Sequence, residues 1–359
     1  MPTARLILAL GALLAAASLT ARAAEFSAAE WEVAPRDAAL EAHIATAFAP
    51  DAGPVLSGVR AVLLVQDGRI RAERYREGFG PQSRFISWSM AKSMVHALAG
   101  VMVREQRITP ATPLPVPEWQ QDPSDPRRAI TLDDALRMST GLAFNEDYAD
   151  LQSSDAIRML FGDGARDMGA YAASRPLIHP PGTVWDYSSG TTNIVSRVIR
   201  DLSGGTEKTY RGFVQRELLA PIGIRDAVLE FDVAGTLIGS SLVFMTARDY
   251  ARFGLLYLHD GVWNGQRILP EGWVERARRP TAGSKGRYGA QWWLSFSDPE
   301  GVPNAKRQFP PDAFMARGHQ EQAIIVVPSR NAVLVCLSLI ESGDVSELQD
   351  WLVGVVEGQ

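Results

Sequence analysis

Two rhythms of apolar and polar residues alternate along this chain. A helical lead-in is expected around Ala38–Phe48. Val59–Val65 and Arg69–Tyr75 are β-rich runs on either side of Gln66-Asp67-Gly68, and an Asp-Gly pair between such runs predicts a hairpin. From Ser89 the period becomes helical. Residues 90–103 are nearly all apolar or small, and no acid appears until Glu105, which predicts a helix buried on most sides. Ile130–Met138 shows a capping residue followed by helical spacing. Asp155–Phe161, Thr192–Leu202, Tyr210–Leu219 and Ala247–Leu258 repeat that pattern, separated by Pro- and Gly-rich loops such as Pro110–Pro126 and His179–Gly182. Strand patterns return at Tyr288–Leu294, Ala313–Ala316, Gln322–Val327 and Ala332–Leu339. Pro328-Ser-Arg-Asn331 turns the last pair, and a helix is expected over about Val345–Val356.

Strands at both ends with helices between them predict an α+β fold. Its mostly antiparallel sheet would be built from the N- and C-terminal segments and flanked by helices. An α/β lobe (24–88 and 286–359) would carry an inserted helical lobe (89–285), with a small-molecule cleft between them. Ahead of this domain, Arg5 precedes the apolar stretch Leu6–Thr20 and the small-x-small pattern Ala21-Arg22-Ala23. That arrangement predicts a signal peptide over 1–23, cleaved on export to the periplasm or beyond. The apolar run is short for a membrane span, so none is expected after cleavage.

Removing that segment takes away two arginines and no acids, moving the net charge from −5 to −7. With no long basic run, nucleic-acid binding has no electrostatic support. The single Cys336 excludes an internal disulfide, and its apolar neighbours suit a buried strand position. His43, His179 and His259 lack metal-ligand spacing, and no metal or organic cofactor is expected.

The candidate chemistry lies at the start of the most apolar helix. Lys92 follows Ser89 by three residues, which puts both on one helix face. Burial pushes a lysine toward its neutral form, and a serine beside a neutral lysine is a nucleophile beside its base. The competing reading is a chance Ser-x-x-Lys with a solvated or ion-paired lysine. However, the 36 basic residues include only four lysines, the rest being arginines, which cannot act as bases. His96 lies two turns beyond Ser89, too far to be its base, and suits a core position.

Two further stretches carry polar groups. Tyr187, in Trp185-Asp-Tyr-Ser-Ser189, sits among polar neighbours, where a phenol could pass a proton to a leaving group or simply pack. Arg317-Gly-His-Gln-Glu-Gln322 enters an apolar strand and is either its exposed end or a cleft edge with an oxyanion-binding N–H. Taken in order, these pieces resemble the serine β-lactamase/penicillin-binding-protein superfamily. The resemblance is strongest to its class C-type esterases and 6-aminohexanoate-dimer hydrolases.

Ser89-Met-Ala-Lys92 matches the family's Ser-x-x-Lys, and Tyr187-Ser-Ser189 matches its Tyr-x-Asn/Ser element. His319-Gln-Glu321 stands where relatives carry Lys-Thr-Gly or His-x-Gly. The resemblance implies Ser89 as acylated nucleophile, Lys92 as base and Tyr187 in proton transfer. It implies backbone N–H groups of Ser89 and Gln322 at the oxyanion, with His319, Ser189 and Tyr148 toward substrate. The substrate would be a small ester or amide.

The departures also carry information. The third triplet has no lysine, and no Glu-x-x-x-Asn element is present, which favours esterase or amidase over β-lactamase or D,D-peptidase. Glu321 replaces the usual glycine, so its side chain either narrows the cleft or faces away. A non-catalytic member of the fold, binding peptidoglycan or a partner, is the alternative that residue raises. Oligomeric state is left open.

Overall fold

A computed structural model describes residues 31–148, 150, 152–296, 305–341 and 344–358. The expected signal peptide, 1–23, lies outside the described residues. Five strands form the main sheet: β1 (Val59–Gln66), β2 (Arg69–Tyr75), β3 (Phe314–Gly318), β4 (Gln322–Val327) and β5 (Ala332–Ser338). Their spatial order is β2-β1-β5-β4-β3, every pairing antiparallel. The sheet is therefore stitched from two distant stretches of chain, with β1 from one beside β5 from the other. The Asp67-Gly68 turn closes the first hairpin, with both residues in the left-handed region that such a turn requires.

Five helices place the site: α1 (Ala38–Phe48), α2 (Ala91–Arg104), α3 (Ser189–Leu202), α4 (Ala247–Leu258) and α5 (Ser346–Glu357). α1 and α5 cover one face of the sheet, against Val62, Leu64, Ile325, Leu334 and Cys336. The other face, with Leu63, Val65, Val326, Val333 and Val335, joins a larger core shared with α2, α3 and α4. Because both faces are covered, every residue of β5 is buried, and its sequence reads as an unbroken apolar run rather than an alternation.

α2 is buried over 12 of its 14 residues, as its composition requires. α3 begins three residues earlier than its apolar spacing suggests, because the Ser188 hydroxyl accepts from Thr191 N and caps it. Thr131 and Asp134 form a capping box on the short Leu132–Leu136 helix.

The expected strand Tyr288–Leu294 is not formed. Gln291 has φ 59°, and Gly289 N donates to Trp292 O, so this stretch folds back on itself as a tight turn. Trp293 alone then pairs with Met315 of β3. The aromatic run that mimics a strand is used for packing, with Trp292 and Tyr288 fully buried.

Candidate active site

Ser89 lies in a single 3₁₀ turn, Trp88–Met90, which runs directly into α2. The turn is pinned from behind by Ser87. Its N–H donates to Val243 O (2.8 Å), and its hydroxyl donates to Ser241 O (3.0 Å) and accepts from Val243 N (3.2 Å). Trp88 takes φ 42°, a strained value for a side chain of that size, and its indole N–H donates to the Gln320 side-chain oxygen at 3.2 Å. β3 presses against the same turn through Gly318. A Cβ there would lie 2.4 Å from Ser87 O, so only glycine permits the approach.

Lys92 is 1 % exposed, and its ammonium makes three short contacts. Nζ is 2.9 Å from Ser89 Oγ, 2.9 Å from Ser189 Oγ and 3.1 Å from Ser240 O. Burial pulls its pKa down from 10.5 to about 8, against the opposing pull of the Glu146 carboxylate. The Tyr187 ring lies beside this amine, its centroid 4.9 Å from Nζ, and is wedged between Tyr288 and Trp293. Burial, and then Glu146, push the phenol above its usual pKa, while the facing Ser89 hydroxyl and Arg317 pull the other way. The phenol therefore stays protonated where the lysine can be neutral.

Ser189 is fully buried, so it meets Lys92 rather than the open cleft where its expected role toward substrate would put it. Its hydroxyl accepts from Lys92 and donates to Glu146 Oε1 at 2.5 Å, while its N–H donates to Glu146 Oε2 at 2.7 Å. A line Ser89–Lys92–Ser189–Glu146 results. Tyr148, 52 % exposed, sits at its outer end with its hydroxyl 2.8 Å from Glu146 Oε1. Glu146 and the Ser240 carbonyl are the members that sequence reasoning passed over. Glu146 lies two residues before Tyr148, but nothing in its local pattern marks a carboxylate that turns inward. A backbone carbonyl leaves no trace in residue type.

The cleft in front of Ser89 has a volume of about 300 Å³ and is walled by Tyr187, Trp293, Phe296, Arg317 and His319 among others. His319 stands edge-on to Trp88, with 5.6 Å between ring centroids. Gln322 pairs with Gly318 across the β3–β4 turn, and its buried side chain is tied to Ser338 O at 2.5 Å. Glu321 neither closes the cleft nor leaves it. Its carboxylate lies along the wall, paired with Arg317 at 2.9 Å. His96 is a core residue, bonded to the Tyr257 hydroxyl (2.8 Å) and stacked on Trp273, and burial holds its pKa down at about 3. Among the described residues, no group of three or more His, Cys, Asp or Glu could hold a metal, and no helix is long and apolar enough to cross a membrane.

The family model described as Beta-lactamase matches residues 55–355, which takes in every strand of the sheet and every residue of the site. The chain belongs to the Beta-lactamase family. Within known proteins it is similar to a 6-aminohexanoate-dimer hydrolase of Paenarthrobacter ureafaciens, 29 % identical over 259 residues. That match covers 66 % of this chain and 64 % of the relative, so the chain spans a little under two thirds of the relative's length. Among solved structures, a Bacillus anthracis protein described provisionally as a 6-aminohexanoate-dimer hydrolase superposes with a TM-score of 0.68. It is 23 % identical, over 84 % of this chain and 79 % of the other. A family VIII carboxylesterase superposes at 0.64 with 14 % identity, over 91 % and 98 %. Both establish the β-lactamase-type α+β fold that the strand and helix pattern predicts.

Proposed function

We propose that this chain is an exported serine hydrolase that cleaves an ester or amide bond through an acyl-enzyme on Ser89. The observation that carries it is the 2.9 Å contact between Ser89 Oγ and a buried amine whose pKa is drawn to about 8. An amine of that pKa is neutral in roughly one molecule in ten at pH 7, against fewer than one in a thousand for an ordinary lysine. Neutral Lys92 takes the Ser89 proton as the oxygen attacks the carbonyl carbon. The N–H groups of Ser89 and Gln322 hold the resulting oxyanion. Tyr187, kept protonated by its surroundings, gives its proton to the departing alcohol or amine and is reprotonated from Lys92. The same amine then activates the water that releases the acid.

Ser189 orients Lys92 in this scheme, while substrate contact is assigned to His319, on the cleft wall, and to Tyr148, beyond Glu146. A relative named for 6-aminohexanoate-dimer hydrolysis and a carboxylesterase of the same fold both support an ester or amide substrate over a β-lactam. So does the want of a lysine in the His319-Gln-Glu321 triplet. Export rests on residues 1–23, with 24–88 and 286–359 as the α/β lobe and 89–285 as the helical lobe.

The test is labelling with a fluorophosphonate and turnover of p-nitrophenyl acetate, a linear amide and a chromogenic cephalosporin by wild type and Ser89→Ala. Labelling and ester or amide turnover should vanish in the variant, by about 10³-fold or more. If neither depends on Ser89, the proposal fails.

A further inference from the structure

The cleft contains a charge arrangement whose members take no direct part in the acyl transfer. Arg317, near the end of β3, donates through Nη1 to Phe296 O (2.6 Å) and through Nη2 to Glu321 Oε2 (2.9 Å). Its guanidinium lies 4.5 Å from the Phe296 ring centroid and 6.0 Å from that of Trp293. Both partners line the same cleft as Ser89, with side chains 19 % and 20 % exposed.

Glu321 reaches this position at a conformational cost. Gln320 and Glu321 are consecutive non-glycine residues at φ 61° and 63°, and each such residue costs roughly 1–2 kcal/mol. A partly exposed ion pair returns about 0–1 kcal/mol, less than the strain, so the pair by itself does not account for this backbone. What the pair does accomplish is to neutralise the cleft. A planar guanidinium held between aromatic walls is a receptor for a carboxylate, and here the chain supplies that carboxylate itself.

We propose that Glu321 is a built-in counter-ion that masks Arg317, making the cleft select uncharged substrates and reject those ending in a carboxylate. An incoming carboxylate must displace Glu321, leaving two carboxylates to compete for one guanidinium. Remove Glu321 and the same cleft becomes an anion-selective site. This inference rests on Ser89 being the nucleophile only where turnover is concerned. The binding it describes does not need that chemistry.

The test compares p-nitrophenyl hexanoate with p-nitrophenyl hydrogen adipate, which differ in a terminal carboxylate. Wild type should favour the neutral ester, and Glu321→Gly and Glu321→Gln should each raise the adipate-to-hexanoate ratio of kcat/KM about tenfold. Glycine suits the left-handed backbone at this position, so that variant also relieves strain. Adding Arg317→Gln to Glu321→Gly should cancel the gain. A ratio within about twofold of wild type, or a gain that survives loss of Arg317, overturns the proposal. In a Ser89→Ala background, calorimetric titration with free adipate should show about tenfold tighter binding once Glu321 is Gly. Equal binding with and without Glu321 refutes the mask even if Ser89-dependent turnover is found. Tighter binding with no Ser89-dependent turnover upholds the mask and refutes the hydrolase.

Discussion

Lys92 is the residue on which two opposed demands fall. A pKa drawn from 10.5 to about 8 makes the fold roughly 3 kcal/mol less stable below pH 8 than an unshifted lysine would. The sign follows from proton counting: between about pH 8 and 10.5 the unfolded chain binds the proton that the native state has released, so stability rises with pH across that window. Lys92→Met keeps the length and drops the charge. It should abolish turnover yet raise Tm at pH 7 by a few degrees in calorimetry, even with the Ser189 and Ser240 acceptors left short of a donor. A lower Tm would mean that the amine's hydrogen bonds outweigh its burial. Glu146 pulls the same pKa upward, so in Glu146→Gln the alkaline-rising limb of kcat/KM should move to lower pH than the wild-type inflection near 8. Ser189 would also lose a charged acceptor, and kcat should fall about 10- to 100-fold. An unshifted limb would exclude Glu146 from the lysine's electrostatic surroundings.

At the scale of elements, the Ser89 turn is shaped by what abuts it. Gly318 lets β3 lie against Ser87 and Trp88, and Gly318→Ala places a methyl 2.4 Å from Ser87 O. The strand must retreat, and with it the Gln322 end of the β3–β4 turn. The expected result is a loss of about 10² in kcat/KM with a stability loss of about 1–3 kcal/mol by denaturant titration. Near-normal activity would show that the strand's approach is not needed for catalysis.

These elements were legible in the sequence to different degrees. α2, the Asp67-Gly68 hairpin and the paired strands β4 and β5 declare themselves because their burial is uniform and their turns have specific chemistry. Tyr288–Leu294 misleads because aromatic residues carry the same apolar signal whether they line a strand or fill a core, and the left-handed Gln291 that breaks the strand has no sequence mark. The Ser89–Lys92 contact could be expected because three residues put both on one helix face, and Tyr187 stood out by its polar neighbours and the family resemblance. Glu146 could not, since what makes it matter is a loop bringing it to Ser189, forty-three positions away. Glycine at 318 rather than 321 makes the close approach, and residue type alone does not separate the two positions.

At the scale of the whole molecule, β1, β4 and β5 belong to both cores at once. Val333 and Val335 face the helical side, while Leu334 and Cys336 face α1 and α5. Neither layer can loosen without exposing the sheet between them. Cys336, fully buried and with its thiol pushed up to about 12, first by burial and then by the nearby Glu321, reports on this directly. A disulfide-exchange reagent should leave it unmodified in the native protein. Its labelling should follow the same denaturant midpoint as the circular dichroism, in a single transition. Reaction well before that midpoint would reveal a sheet that opens separately from the helices.

The place of β5 between β1 and β4 sets an order of events during synthesis. β1 leaves the ribosome early and must keep its hydrogen-bonding edge open until β5 is made, with all of the helical segment emerging in the interval. The Ser89 turn follows β1 closely, yet the Gly318 strand that fits against it comes late. A half-made chain thus holds Ser89 before the strand that fits against its turn has been made.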